Sequence, residues 1–311
     1  MKAVTAEKLT KVYSNGKRAL GNVDFSIDEG GIFGFLGPNG AGKTTAVKVL
    51  NGMLTATEGS CSVFGIDPGH YPEKVHELSG VVTEHAHMYN NLTGMQNLVF
   101  FGTVFGINEA ESKKRGLQLL EQLELTYAKD QKLATYSTGM RQKLSLARAM
   151  IHRPRILFLD EPTSGLDPES AQNVNNLIKN LAKEGMTIFL CTHQLRYAEE
   201  ICTGYGLISE GGMLAAGSLD ELRAKVFSGI TVMIRADKFP DGAAIRRMGE
   251  YALMDADSDE EIPGLVKKIT DNGGKIYHVS ARRLSLEEIY FALIEKLRHG
   301  KTGNGDGTND K

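Results

Sequence analysis

The sequence is short of cysteine, of long apolar runs and of excess charge of either sign, and each shortage excludes a class of protein. Its three cysteines, Cys61, Cys191 and Cys202, are odd in number and fall in no C-x-x-C spacing. That excludes a disulfide framework and a cysteine-ligated zinc site, and it fits a reducing, cytoplasmic setting. No uninterrupted apolar stretch approaches the roughly 18 residues of a membrane-spanning helix. The opening residues, MKAVTAEKLTKVYSNGKRAL, lack the apolar core of a secretion signal. The expectation is a chain without direct membrane insertion, so any work at a membrane goes through a partner that does span it. Lys and Arg number 36 against 38 Asp and Glu, a formal net charge of -2, and no basic field argues for nucleic acid. A hydrophobic content of 41% over 311 residues suffices for one large domain and a smaller one.

What is present is a cradle for phosphate. Residues 37–45, GPNGAGKTT, meet every position of G-x-x-x-x-G-K-[ST]. The apolar run GIFGFL precedes them as a buried strand, and Val47, Leu50 and Met53 follow at helical spacing. Strand, glycine loop and helix are the context this motif requires. Gly37, Gly40 and Gly42 allow successive N–H groups to turn toward one anion, and the helix aims its positive end at the same point. Lys43 is expected to reach the β- and γ-phosphates and the Thr44 hydroxyl to ligate Mg²⁺. The competing reading, a glycine-rich turn without ligand, does not account for that context.

Upstream, residues 3–27 read as short antiparallel strands around the turn Ser14-Asn15-Gly16. Tyr13 is either a half-buried strand tyrosine or a face on which a base stacks. Residues 58–67 alternate like a strand and end in the turn Asp67-Pro68-Gly69; Val81 and Val82 lead into Thr83-Glu84-His85. From 93 to about 149 the apolar spacing is helical, and the stripe of Phe100, Phe101 and Phe105 is read as core before docking surface. Ser137 and Gly139, opening an amphipathic helix, offer a hydroxyl and backbone N–H groups to an anion, or merely an N-cap. The run ILFLDE is a buried strand ending in acids: Asp160 is positioned to hold Mg²⁺, and Glu161, projecting the other way, to polarise the attacking water. TIFLCT is a further strand, ending at His193. Several strands that end in polar groups on one side of a sheet favour a ligand site there over a structural histidine.

Five motifs in this order resemble the ATP-binding subunit of ABC transporters over roughly residues 2–222. The phosphate loop is complete. Residues 136–140, YSTGM, look like a variant of the signature LSGGQ, with Thr138 for a glycine and Met140 for the glutamine. ILFLDE matches the Walker B strand, SGLD the D-loop ending at Asp167, and His193 the switch histidine; Tyr13 falls where the family has its adenine-stacking aromatic. Glu84 stands where the family usually carries the Q-loop glutamine. A carboxylate there can ligate Mg²⁺, but it cannot donate a hydrogen bond and it adds negative charge near phosphates.

The resemblance implies an α/β P-loop NTPase of ABC type, with a mixed-sheet core, an antiparallel β subdomain and a helical subdomain over about 85–150. It implies ATP and Mg²⁺ as ligands. Gly37, Pro38, Asn39, Gly40, Ala41, Gly42, Lys43, Thr44 and Thr45 would wrap the phosphates, with Thr44, Glu84 and Asp160 at the metal. It also implies two partners. One is a second copy or a homologous ATPase subunit, paired head to tail so that Ser137, Thr138, Gly139 and Asp167 close over the other's nucleotide. The second is a membrane-spanning transporter subunit on whose cytoplasmic face the chain works. Glu161, His193 and Lys43 would be catalytic. Residues 223–299 read as a small α+β domain, resembling the extension on exporter ATPases chiefly through LSLEEIYFALIEKL, and residues 300–311 as a disordered tail. Two alternatives are a soluble ATPase of translation or DNA repair, against which stand the single cassette and the lack of a long coiled coil, and a regulatory module in which Glu84 has made turnover vestigial.

Overall fold

The apolar run of residues 32–36 becomes a strand buried at every position, and the largest sheet forms around it. The computed structural model describes residues 1–83, 88–227, 229–240 and 246–302, and the chain divides into two compact units, 1–216 and 217–311. The first is built from β1 (Lys2–Val12), β2 (Arg18–Asp28), β3 (Ile32–Leu36), α1 (Lys43–Leu50), β4 (Glu58–Val63), α2 (Pro72–Leu78), β5 (Ser79–Val82), α3 (Gly94–Val104), α4 (Glu109–Gln122), α5 (Thr138–Met150), β6 (Ile156–Asp160), α6 (Pro168–Lys183), β7 (Thr187–Thr192), α7 (Leu195–Ile201), β8 (Gly204–Ser209) and, at its boundary, β9 (Gly212–Gly217).

Six strands lie in the order β5-β6-β7-β3-β8-β9, and every pair from β5 to β8 is parallel. β3, β6 and β7 are buried throughout, which is why their sequences run apolar without the alternation of a half-exposed strand. A second, antiparallel sheet has the order β2-β1-β4. Its strand β2 alternates buried and exposed residues along most of its length and sends Phe25 inward against Phe33, Phe35 and Phe189, with ring centroids 5.5 to 6.0 Å away. Buried phenylalanines of this kind contribute about 1.5–3 kcal/mol each, and here they join the two sheets in one core with Ala41 of the phosphate loop and Ala46 of α1. All three cysteines are free, with Cys191 and Cys202 buried.

Helices α3, α4 and α5 form the helical portion. The expectation that its phenylalanine stripe is core is corrected: Phe100 and Phe105 are 39% and 40% exposed. The buried residues of α3 are Gly94, Asn97, Leu98 and Gly102, a stripe set by close approach, since a Cβ on Gly102 would run into the Ser112 hydroxyl of α4. Phe100 lies away from that stripe and packs edge-on against Tyr89 and Phe101 instead.

The second unit comprises α8 (Leu219–Val226), β10 (Ile230–Ala236), β11 (Arg246–Met248), β12 (Tyr251–Ala256), α9 (Ile262–Asp271), β13 (Ile276–Arg282) and α10 (Leu286–Thr302). Its antiparallel sheet runs β11-β12-β10-β13 over a core of Ile230, Val232, Ile234, Ala256 and Ile269. The division at 216/217 leaves α8, with its Ser218–Glu221 capping box, in this unit. α10 runs to Thr302, inside the segment expected to be a tail; residues 303–311 lie outside the described residues, and so does Glu84.

Candidate active site

The loop between β3 and α1 takes its shape from glycine. Gly40 and Gly42 have φ of 82° and 110°, the left-handed region that side chains rarely enter. A Cβ on Gly42 would also run into the Ala19 carbonyl. Gly42 is the N-cap of α1 and supplies no side-chain cap, so the first N–H groups of the helix, which have no intrahelical acceptor, are open to an anion. Lys43 is 5% exposed and folds back over the loop, its Nζ donating to the carbonyls of Gly37 (2.7 Å) and Pro38 (3.2 Å). The Thr44 hydroxyl donates to Asp160 Oδ2 at 2.7 Å. The Tyr13 hydroxyl lies 3.1 Å from Thr45 Oγ1.

These groups line one cleft of about 250 Å³. The β1–β2 turn and the start of β2 contribute Tyr13, Lys17 and Ala19; the loop contributes Asn39, Gly40 and Gly42; α1 contributes Lys43, Thr44 and Thr45; the end of β6 contributes Asp160 and Glu161. Asp160 is the last residue of β6. Glu161 does not gain its direction from strand alternation, because the strand has already ended: its φ is 51°, a left-handed turn that costs a non-glycine residue about 1–3 kcal/mol. Neighbouring groups hold it there. Its N–H donates to the Cys191 carbonyl at 2.9 Å, and Thr192 Oγ1 donates to Oε2 at 3.0 Å. His193 Nδ1 meets Oε1 at 2.9 Å, and Lys43 Nζ stands 3.5 Å from the same oxygen. An ionised carboxylate only accepts, so His193 presents Nδ1–H to it. Reading by residue type passed over Thr192 as a holder of Glu161; the one signal was its place as the hydroxyl ending an apolar strand.

Other predicted residues are not part of the lining of this cleft, although His193 reaches it through Glu161. Ser137 is the N-cap of α5, its Oγ accepting from the Met140 N–H at 3.2 Å, and Ser137 and Thr138 are exposed. Gly139 follows in the first turn. Asp167 caps α6 by accepting from the Ser170 N–H at 2.9 Å, and hydrogen bonds from Ser170 hold its carboxyl below the usual range. Ser137, Thr138, Gly139, Asp167 and His193 do not line the cleft of their own chain.

Residues 20–164 match the family model described as ABC transporter. Over 305 residues the chain is 33% identical to the daunorubicin resistance ATP-binding protein DrrA2 of Streptomyces coeruleorubidus, covering 94% of each protein. The chain belongs to the ABC transporter ATP-binding proteins. This ABC ATPase is also 34% identical over 221 residues to the linearmycin resistance ATP-binding protein LnrL of Bacillus subtilis (strain 168), covering 71% of each. Among solved structures it is similar to cbiO1 from Clostridium perfringens, part of the ABC transporter complex cbiONQ, with a TM-score of 0.66 and 26% identity over 72% of this chain and 91% of that one. A dimeric ATP-binding cassette in a post-hydrolysis state, bound to ADP and Pi, gives a TM-score of 0.63 and 26% identity over 70% and 98%. Membership accounts for the α/β cassette, nucleotide binding and the ATPase class. Among the described residues, no helix is long and apolar enough to cross a membrane.

Proposed function

We propose that this ABC ATPase binds Mg-ATP in the cleft of Lys43, Thr44, Asp160 and Glu161 and pairs head to tail with a second copy or a homologous ATPase subunit. In this reading it drives export through a separate membrane-spanning subunit, working at the cytoplasmic face of the membrane. The observation that carries this is the convergence of three strand ends on one point, with the Lys43 ammonium and the Glu161 carboxylate 3.5 Å apart beside an uncapped helix N-terminus. Thr44 Oγ1 and Asp160 Oδ2, two hard oxygen donors 2.7 Å apart, suit Mg²⁺, which takes few protein ligands and completes its shell with water and phosphate. Mg²⁺, when bound, supplies charge neutralisation to the β- and γ-phosphate oxygens.

The chain's own groups do the rest. Lys43 exchanges the Gly37 and Pro38 carbonyls for phosphate oxygens, the N–H groups of the loop and of α1 hold the remaining charge, and Tyr13 meets the base. Glu161, steadied by Thr192 and His193, orients the attacking water and accepts its proton. The exposed start of α5, with Ser137, Thr138 and Gly139, and the α6 cap Asp167 suit the far wall of a partner's site; the dimeric relative supports that arrangement. Export is supported by the resistance roles in the names of DrrA2 and LnrL.

The test is dimer formation. A Glu161→Gln chain loaded with ATP should run as a dimer on size exclusion with light scattering. Adding Ser137→Arg, which fills the far wall with a bulky side chain, should leave it monomeric with ATP still bound. A doubly substituted chain that dimerises as well as Glu161→Gln refutes the head-to-tail arrangement.

A further inference from the structure

We propose that Lys17 is a nucleotide-binding residue whose ammonium holds the phosphate nearest the ribose, a contact distinct from that of Lys43. It rests on the reading of the cleft as an ATP site. The turn that ends β1 fixes Lys17 in place. The Tyr13 N–H donates to the Lys17 carbonyl at 2.9 Å, and the Gly16 N–H to the Tyr13 carbonyl at 2.9 Å. The Lys17 N–H donates to Asn15 Oδ1 at 3.1 Å, and Gly16 has φ of 80°. Tyr13 and Lys17 therefore face each other across the turn, and both line the cleft.

Lys17 also stands two residues before Ala19, whose carbonyl abuts Gly42, the N-cap of α1. Two extended residues span about 7 Å, so Lys17 stands beside both Tyr13, whose hydroxyl meets Thr45 in the first turn of α1, and the helix N-terminus, each within reach of its flexible four-carbon side chain. A nucleotide with its base at Tyr13 and its terminal phosphate at Lys43 lays its first phosphate in the part of the cleft that Lys17 and Thr45 line. The other lysines nearby are engaged: Lys11 Nζ donates to the Thr55 carbonyl at 2.7 Å, and Lys43 is paired with Glu161. Among the described residues, no carboxylate pairs with Lys17. Because ADP and ATP share this phosphate, the contact strengthens both equally and acts on affinity rather than on the chemical step.

The experiment is calorimetric titration of the full chain with ADP and with a non-hydrolysable ATP analogue. Lys17→Gln should weaken both by the same factor, about fivefold at low salt, and the gap should close near 0.5 M salt as the charge is screened. Lys17→Arg should stay within about twofold of the wild type, because it keeps the charge. Unchanged affinity in Lys17→Gln, weakening confined to the ATP analogue, a salt-independent loss, or an arginine variant as weak as the glutamine one each overturns the assignment. A wild-type chain that binds no ADP refutes the reading of the cleft itself, and Lys17 falls with it.

Discussion

Thr192→Val removes the hydroxyl that aims Glu161 while keeping the volume of a fully buried side chain. That hydroxyl donates to Glu161 Oε2 at 3.0 Å and accepts from the Gln194 N–H at 3.1 Å. A hydrogen bond to a charged group contributes about 1.5–3 kcal/mol, and the stranded amide adds about 1 kcal/mol more. For a unit of this size each kcal/mol lowers the melting temperature by roughly 2–4 °C. The carboxylate keeps His193 and Lys43, so it stays in the site but turns more freely. If about 1.4–2 kcal/mol of its alignment is needed in the transition state, kcat falls about ten- to thirtyfold. KM for ATP should hardly move, since Thr192 does not line the cleft. Steady-state ATPase and thermal melting measure both effects, and Thr192→Ser, which retains the hydroxyl, should recover most of kcat. A valine variant that melts lower yet turns over at the wild-type rate refutes the role given to this hydroxyl.

Gly42→Ala should abolish ADP binding in a titration and destabilise the first unit by at least about 2 kcal/mol, because a left-handed φ and the Ala19 carbonyl both oppose a Cβ; a stable, ADP-binding alanine variant would remove the steric account of the loop. Asp160→Asn keeps the side-chain size but loses the charge, so the Mg²⁺ concentration for half-maximal ATPase should rise at least about tenfold while metal-free ADP binding persists; an unchanged Mg²⁺ requirement contradicts the metal assignment. Burial holds the His152 imidazole below its usual pKa of 6.5, with Nε2 donating to the Ser79 carbonyl at 3.0 Å and the ring stacked on Phe105. The unfolded chain then takes up this proton first, so the contribution of His152 to stability is flat above about pH 6.5 and declines below it until the folded pKa is passed. Urea melts from pH 7 to 5 should show a shallower decline in His152→Gln, and an identical slope would exclude His152 as a source.

The phosphate loop was legible in the sequence because its backbone dictates its residues: at Gly40 and Gly42 the positive φ leaves glycine as the natural choice. β3, β6 and β7 were legible for a related reason, since burial on both faces demands unbroken apolar runs and makes the polar residues that end β6 and β7 conspicuous. The direction of Glu161 was not legible, because it depends on a left-handed turn that glutamate does not signal and that its neighbours hold. In α3 the buried face was chosen by how closely Gly94 and Gly102 let other segments approach, a tertiary condition that hydrophobicity alone points away from. β11, three residues long, and β12, with Asp255 inside it, carry too little pattern to read as strands. Ser137 shows its local duty as a helix cap within one chain, whereas a role toward a partner's nucleotide is not encoded in any contact of that chain.

Whether Glu161 activates the attacking water is answered most directly by single-turnover hydrolysis of bound ATP in the wild type and in Glu161→Gln. The substitution preserves the shape of the side chain and leaves Lys43, Thr44 and Asp160 in place. The variant should retain ATP with near wild-type affinity and hydrolyse it at least about a hundredfold more slowly, the usual contribution of a positioned general base. Hydrolysis at the wild-type rate by a Glu161→Gln chain with ATP bound would contradict the assignment of the cleft's chemistry to this carboxylate.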